Sequence, residues 1–300
     1  MIPPSRRLFA SLLPLLLIVG VADLHAGGGA WVRSAGGYYF TIGFLSITAE
    51  KEYGFDGEER PLYTDTARFR NGRIGITNLP LYVEYGVTDR VTVVLATQYT
   101  VVVREADIVA PGMEGLTESA SASGLGDIRL SGRVGLLPAS WPLVGSATLG
   151  VSIPTGSPNK EIPLGTGAAD IEGEMALGHS FGIDSARRGY LQASGGYRLR
   201  ERAADEYLWH VEAGVDILPT LGLRAVVDGV ASTARFDTLA ADNTIFSDEF
   251  VGSQSYARVA VALTYAFSAG TELSFSLGKT LDGRNTLDAG TLGVGVAWRR

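Results

Sequence analysis

The chain has 300 residues, of which 46% are hydrophobic and 19% charged, with a formal net charge of −7 at pH 7. This much hydrophobic sequence excludes a disordered chain, and the acidic balance argues against nucleic-acid binding, which needs a basic face. The sequence has no cysteine, so disulfides, thiolate metal sites and a cysteine nucleophile are excluded.

The N-terminal residues 1–26 have the pattern of a secretory signal peptide. Arg6 and Arg7 form a charged start, residues 8–21 are apolar, and Leu24-His25-Ala26 resembles a cleavage box. An N-terminal membrane anchor is the alternative, but the apolar stretch is shorter than the roughly 18 residues that a spanning helix needs. We therefore predict export of a mature domain comprising residues 27–300.

The sequence after residue 26 is a series of segments of about ten residues in which apolar and polar side chains alternate. This period of two, interrupted by turn residues, is typical of a transmembrane β-barrel. It predicts strands near residues 37–48, 74–85, 91–104, 127–137, 142–153, 170–181, 189–199, 206–217, 221–233, 255–267, 271–280 and 289–299. The predicted fold is all-β: a single antiparallel up-and-down barrel of about 12 strands.

The alternation separates two chemically different faces. In the eighth segment Trp209 and Val211 share one face, whereas His210 and Glu212 share the other. In the tenth and twelfth, Val261 and Val294 belong to the apolar face. A soluble sandwich turns its apolar face inward, but a membrane barrel turns it outward to lipid and lines its interior with polar groups. We expect the second arrangement.

The connections between the predicted strands alternate in length, which favours the barrel. The brief ones include the turn at 86–90, and we expect them on the periplasmic side together with both termini. The long ones, expected outside the cell, lie near residues 49–73, 105–126, 154–169 and 234–254, and two of moderate length on the same side lie near 200–205 and 281–288. We expect the small polar residues from Thr117 to Gly126 to form a mobile loop. The sequence leaves open whether the residues before Tyr38 form a plug or a leader.

Three short motifs resemble a known family. They are Gly124-Leu125-Gly126-Asp127-Ile128-Arg129-Leu130, Pro154-Thr155-Gly156 and the turn from Glu84 to Arg90. Together they resemble the bacterial outer-membrane transporter family of the meta-pathway of phenol degradation. The resemblance implies a barrel that takes up aromatic or other hydrophobic compounds. A local interpretation is turn chemistry, in which glycine relieves strain and Asp127 bonds neighbouring backbone N–H groups. One departure is that Arg299 and Arg300 follow Trp298, where many such barrels end on an aromatic residue.

If the apolar faces meet lipid, the opposite faces define the candidate pore lining. An Arg or Lys on the lipid face at the bilayer midplane costs about 2–4 kcal/mol, so charged residues should point inward. The candidates are Arg104, Arg129, Arg133, Glu172, Glu174, His210, Glu212, Asp216, Arg224 and Arg258. Two interpretations remain open: a transverse field between a basic and an acidic wall, which favours polar or zwitterionic solutes, and a set of salt bridges that plugs the barrel.

The same residues allow other functions. A barrel hydrolase would need a nucleophile beside a histidine. His179 and Ser180 point to opposite faces of a strand, and the His210–Glu212 pair is read as a polar network, so we expect no enzyme. Carboxylates such as Glu172 could hold a hard cation, but we predict no metal or cofactor. A structural or adhesive barrel without an open pore is the remaining alternative.

The predicted partners follow from the predicted location. They are outer-membrane lipid and lipopolysaccharide, a small-molecule solute and the barrel assembly machinery, without nucleic acid. The acidic run from Asp56 to Glu59 in the first long loop could bind divalent ions that bridge lipopolysaccharide. The sequence thus predicts a porin-like transport protein of the Gram-negative envelope.

Overall fold

The computed structural model describes residues 29–63, 69–109, 115–138, 140–157, 162–234 and 253–300. The predicted signal peptide and most of the predicted 234–254 loop lie outside these ranges. The described strands are β1 (Tyr38–Tyr53), β2 (Glu59–Pro61), β3 (Phe69–Thr88), β4 (Val91–Ile108), β5 (Thr117–Leu125), β6 (Ile128–Gly135), β7 (Leu143–Ile153), β8 (Asp170–Gly182), β9 (Arg188–Arg200), β10 (Glu206–Leu218), β11 (Leu221–Ser232), β12 (Ser255–Ser268), β13 (Thr271–Arg284) and β14 (Thr286–Arg299). Within the described ranges, no helix is long and apolar enough to cross a membrane.

The strands form one closed antiparallel sheet. Its order is β14-β13-β12-β11-β10-β9-β8-β7-β6-β4-β3-β1, and β1 pairs in turn with β14, with Phe40 opposite Trp298. Closure leaves the barrel wall without an unpaired edge, which is the condition for a sheet to survive in hydrocarbon. The predicted fold, an antiparallel barrel of about 12 strands, is confirmed, and β2 and β5 are additional strands paired with β1 and β4.

The connections divide the barrel into two ends. The short-turn end holds the start of β1, the end of β14 and the brief turns. The long-loop end holds the longer connections. Two loop predictions at the long-loop end are wrong. Residues 117–125 form β5, which extends a hairpin with β4, because alternating Ser and Ala pair as a strand without a hydrophobic signal. Residues 281–288 contain a tight turn at Asn285, whose φ of 52° is left-handed, a conformation that Asn tolerates.

The outer face of the barrel is apolar. Leu149 and Met175 are 67% and 58% exposed, and Val211 and Val261 are exposed as well. Val294 is fully buried, yet the register places it on the same face between Phe44 and Phe275, so we attribute its burial to these two neighbours. The prediction that the apolar faces point outward is confirmed for Val211 and Val261. An exposed apolar belt around a closed sheet is the surface that lipid acyl chains cover.

Candidate functional site

The inward face of the barrel holds buried charged groups. Arg104 and Arg133 are each only 1% exposed, and Glu84 and Asp228 are 2% exposed. The register and alternating burial place all the predicted candidates on inward-facing positions: Arg104 on β4, Arg129 and Arg133 on β6, Glu172 and Glu174 on β8, His210, Glu212 and Asp216 on β10, Arg224 on β11 and Arg258 on β12. That they line a conducting pore stays a prediction.

Asp216 lies closer to solvent than the other acidic candidates. It is two residues from the end of β10, at the short-turn end. Its carboxylate accepts the backbone N–H of Arg188 at 2.9 Å. Asp216 therefore ties the start of β9 to β10 at the barrel rim.

A buried ion cluster centres on Glu84 of β3. The guanidinium of Arg133 donates to one carboxylate oxygen at 2.7 Å, and that of Arg33 donates to the other at 2.5 Å. The hydroxyl of Tyr82 also donates to Glu84, at 2.7 Å. Because the carboxylate is paired and hydrogen-bonded on both oxygens, the interior can hold it at low solvent exposure.

The residues before β1, numbers 29–37, enter the lumen, and we call them the N-terminal segment. Its Trp31 carbonyl accepts a hydrogen bond from Arg133 at 3.1 Å, and its Ala30 N–H donates to Gln192 of β9 at 3.2 Å. The Gly29 carbonyl accepts the hydroxyl of Ser146 of β7 at 3.1 Å. Arg33 of the same segment bonds Glu84 of β3, five strands from β9 in the barrel order. The segment therefore crosses the barrel interior between β3 and β9, inside the lumen rather than as an external leader.

The two histidine sites differ in placement. His210 Nε2 lies 3.4 Å from Glu212 Oε2, and the hydroxyl of Tyr190 donates to the same carboxylate. Ser194 is opposite His210 in the register. These contacts form an interior polar network. His179 of β8 is paired with the exposed Leu143 of β7, and its Nδ1 is 2.7 Å from the Pro142 carbonyl oxygen in the adjoining turn.

Towards the long-loop end, basic and acidic groups form an alternating chain. Glu172 is 3.7 Å from Arg129 and 2.7 Å from Arg198. Arg198 reaches Glu206 at 2.7 Å, and Glu206 also pairs with Arg200 at 2.7 Å. Arg200 then approaches Asp170 at 3.5 Å. The predicted separation into a basic and an acidic wall is therefore wrong here, because the signs alternate along one wall.

Sequence reasoning missed Asp170, Arg200 and Glu206. They lie at the ends of β8, β9 and β10. Asp170 and Glu206 begin their predicted strands, and Arg200 lies one residue beyond its predicted strand. The signal was present nevertheless, because each residue is two positions from an inward residue on the same strand. Following the alternation to the end of each strand would have found them. Arg258 meanwhile pairs with Asp228 of the neighbouring strand at 2.9 Å.

A cavity of about 480 Å³ lies beside this ion-pair chain. Its charged wall is formed by β6, β8, β9, β10 and β12, and its other wall by β1, β3, β4, β13 and β14. The charged wall contributes Arg129, Asp170, Arg198, Arg200, Glu206 and Arg258, whereas the other contributes Ile47, Ile76, Val102, Leu287 and neutral polar residues. Residues 163–166 also line it. The ion-paired side chains of the cavity therefore lie on one side, which Val230 and Tyr256 share.

Asp127 holds the connection between β7 and β8 against this cavity. Its carboxylate accepts the N–H of Gly156 at 3.0 Å, and the N–H and hydroxyl of Thr166 at 2.9 and 3.0 Å. The Thr155 hydroxyl donates to the Gly126 carbonyl at 2.8 Å. The motifs at 124–130 and 154–156 thus meet in one site. The local turn role expected for Asp127 is wrong, since its partners lie 29 and 39 residues away.

An apolar cluster anchors the same connection. Ile162 is 1% exposed and packs among Leu62, Phe69, Ile74 and Val102. Leu164 packs against the edge of this cluster. The hydrogen bonds of Asp127 and the burial of Ile162 together fold residues 162–166 inward over the cavity.

No group of three or more metal-ligating side chains occurs among the residues that the structure describes. Glu172 and Glu212 contact Arg198 and His210 instead. In the acidic run at 56–59, Asp56 accepts the N–H of Glu58 at 3.0 Å, and Glu59 pairs with Lys51.

The fold is similar to that of an outer membrane channel from Pseudomonas putida F1, with a TM-score of 0.59 and 16% identity, covering 91% of this chain and 98% of that one. A KdgM porin aligns with 86% of this chain and 98% of its own at 6% identity and a TM-score of 0.47. The toluene transporter TbuX of Ralstonia pickettii aligns with 89% and 90% at 10% identity and a TM-score of 0.42. No protein-family model and no curated protein sequence matches the chain.

Proposed function

We propose that this chain is exported through a signal peptide at residues 1–26 and forms a channel for small solutes in the bacterial outer membrane. The observation that supports this most directly is the closed barrel, whose outer face is apolar while its interior holds a cavity of about 480 Å³ with charged and apolar sides. Such a wall is stable in lipid and encloses space for a solute. The ten inward-facing candidates predicted from the sequence, among them Arg104 and Arg258, are the proposed lining of the channel.

The finer proposal concerns the solute. The motif resemblance to transporters of phenol degradation implies aromatic or other hydrophobic compounds, and the apolar side of the cavity, with Ile47, Ile76 and Leu287, agrees with such a cargo. The guanidinium and carboxylate groups on the other side suit a solute that also carries a polar group. The solute therefore needs an apolar body and a polar substituent.

The test is conductance of the purified protein in planar bilayers, compared with a variant that lacks residues 29–33 and keeps residues 1–28. The wild-type protein should conduct weakly, because the N-terminal segment crosses the lumen. The deletion should conduct more, since it removes that obstruction. Heat-dependent migration on gels verifies that both barrels fold. If both folded proteins remain silent, the channel proposal is wrong.

A structural or adhesive barrel without an open pore is the second candidate. The observation in its favour is the number of inward charges held in ion pairs, such as Arg133–Glu84 and Arg258–Asp228. A deletion strain separates the two candidates. Reduced solute uptake with an intact envelope supports transport, whereas envelope damage alone supports the structural role. A hydrolase role for His210 would require an esterase or protease activity that His210→Ala abolishes.

The proposed partners beyond the solute are membrane components and assembly factors. Lipopolysaccharide would meet the acidic run at 56–59, through bridging divalent ions. The assembly machinery would read β14, whose Trp298 packs on Phe40 at the closing seam, with ring centroids 5.4 Å apart.

A further inference from the structure

We propose that the cavity at the long-loop end binds a small organic anion, a carboxylate with an apolar body, and that Arg129 binds the carboxylate. This inference rests on the proposed channel function for its biological meaning. Binding can nevertheless be measured on the folded barrel without any conduction, so the two proposals can fail separately.

Arg129 lines the cavity, and its guanidinium has an unsatisfied donor, Nη1, on the side of Glu172. Its side chain is 18% exposed, and its buried Nη1 has no hydrogen-bond partner among the described residues. Glu172 lies 3.7 Å away, beyond hydrogen-bond distance, and it already accepts hydrogen bonds from Arg198. A buried guanidinium N–H without an acceptor is unfavourable. A ligand carboxylate at the exposed part of this side chain would supply the hydrogen-bonded anion that the guanidinium lacks.

The carboxylates at the same cavity already have partners. Asp127 accepts hydrogen bonds from Gly156 and Thr166. Glu206 pairs with both Arg198 and Arg200 at 2.7 Å, and Asp170 approaches Arg200 at 3.5 Å. A cationic ligand would have to break these contacts, whereas an anionic one meets the guanidinium of Arg129, which has no hydrogen-bonded carboxylate. The site therefore favours an anion over a cation.

The other wall determines the rest of the ligand. Ile47, Ile76 and Leu287 line it on β1, β3 and β14, and the barrel order places β1 across from β9, which holds Arg198 and Arg200. The volume of about 480 Å³ falls within the roughly 300–1,000 Å³ of small-molecule pockets. A ligand with a carboxylate at one end and a hydrocarbon body matches both walls.

Three probes with the same six-carbon body and different head groups test the proposal: hexanoate, 1-hexanol and hexylammonium. Their affinities for the intact barrel in detergent are measured by titration calorimetry, with a detergent-only blank. Hexanoate should bind at least about tenfold more tightly than the others, because a hydrogen bond to a charged group contributes that much. Equal affinities, or a preference for hexylammonium, would overturn the assignment.

Variants test whether Arg129 causes the preference for hexanoate. Arg129→Gln should reduce hexanoate affinity about tenfold or more and leave 1-hexanol unchanged. Arg73→Gln is the matched control, because Arg73 forms an exposed ion pair with Glu50 outside the cavity. A preference that survives Arg129→Gln refutes the role of Arg129. If that variant fails to fold, Arg129→Lys replaces it, and the wild-type head-group series still decides between anion and cation. Hexanoate binding by a silent barrel would refute the channel and leave this site standing.

Discussion

Replacing Asp127 with alanine should release residues 162–166 from the cavity. The carboxylate accepts hydrogen bonds from Gly156 N–H, Thr166 N–H and the Thr166 hydroxyl at 2.9–3.0 Å. A hydrogen bond to a charged group contributes about 1.5–3 kcal/mol. The two amides should lose protection of that size, which corresponds to exchange about ten to a hundred times faster.

The assay is amide hydrogen exchange of the folded barrel, resolved to peptides that contain Gly156 and Thr166. Asp127→Asn should give a smaller change, because its amide keeps one acceptor oxygen. Bilayer conductance measured on the same samples should rise as residues 163–166 leave the cavity wall.

Asp184→Ala is the matched control for this prediction. Asp184 accepts the N–H groups of Ala186 and Arg187 and pairs with the Arg187 guanidinium, but it lies in the β8–β9 turn at the short-turn end. These donors, the Ala186 N–H foremost, lower the pKa of its carboxyl. If Asp127→Ala leaves exchange at Gly156 and Thr166 unchanged, or if Asp184→Ala changes it equally, the role assigned to Asp127 is wrong.

Three further perturbations test the barrel and its N-terminal segment. Glu84→Ala leaves the buried Arg133 without its carboxylate partner and should lower the free energy of unfolding by about 3–5 kcal/mol, measured by urea unfolding in detergent or lipid. The double variant with Arg133→Ala should lower the free energy of unfolding by less than the two single changes added together. Leu149→Arg, on the exposed apolar face, should destabilise the barrel in lipid by about 2–4 kcal/mol, and a negligible effect would contradict a lipid-facing position. Gly178→Val should displace the N-terminal segment and raise the conductance, because a Cβ at Gly178 would lie 2.7 Å from Trp31. Gly173→Val is the control and should leave the conductance unchanged, because a Cβ there meets no atom within 4 Å.

The period of two determined most of the wall. Residues such as Val211 and Glu212 have opposite surroundings because neighbouring strand side chains point to opposite faces, so fold class and inward positions were readable along the chain. The same local information located the short turns. It failed at β5, because alternating Ser and Ala lack the apolar contrast that identifies a strand.

The tertiary structure alone decided what fills the interior. The N-terminal segment reaches Ser146 and Gln192, which are 117 and 162 residues from their partners. Asp127 likewise bonds residues on a different connection, and the charges alternate along one wall because β8, β9 and β10 are neighbours at that level. Contacts of this kind depend on strand order, register and closure of the sheet, which bring distant residues to the same height in the lumen. Sequence periodicity specifies which face a side chain takes, but only closure of the barrel specifies which side chains it meets.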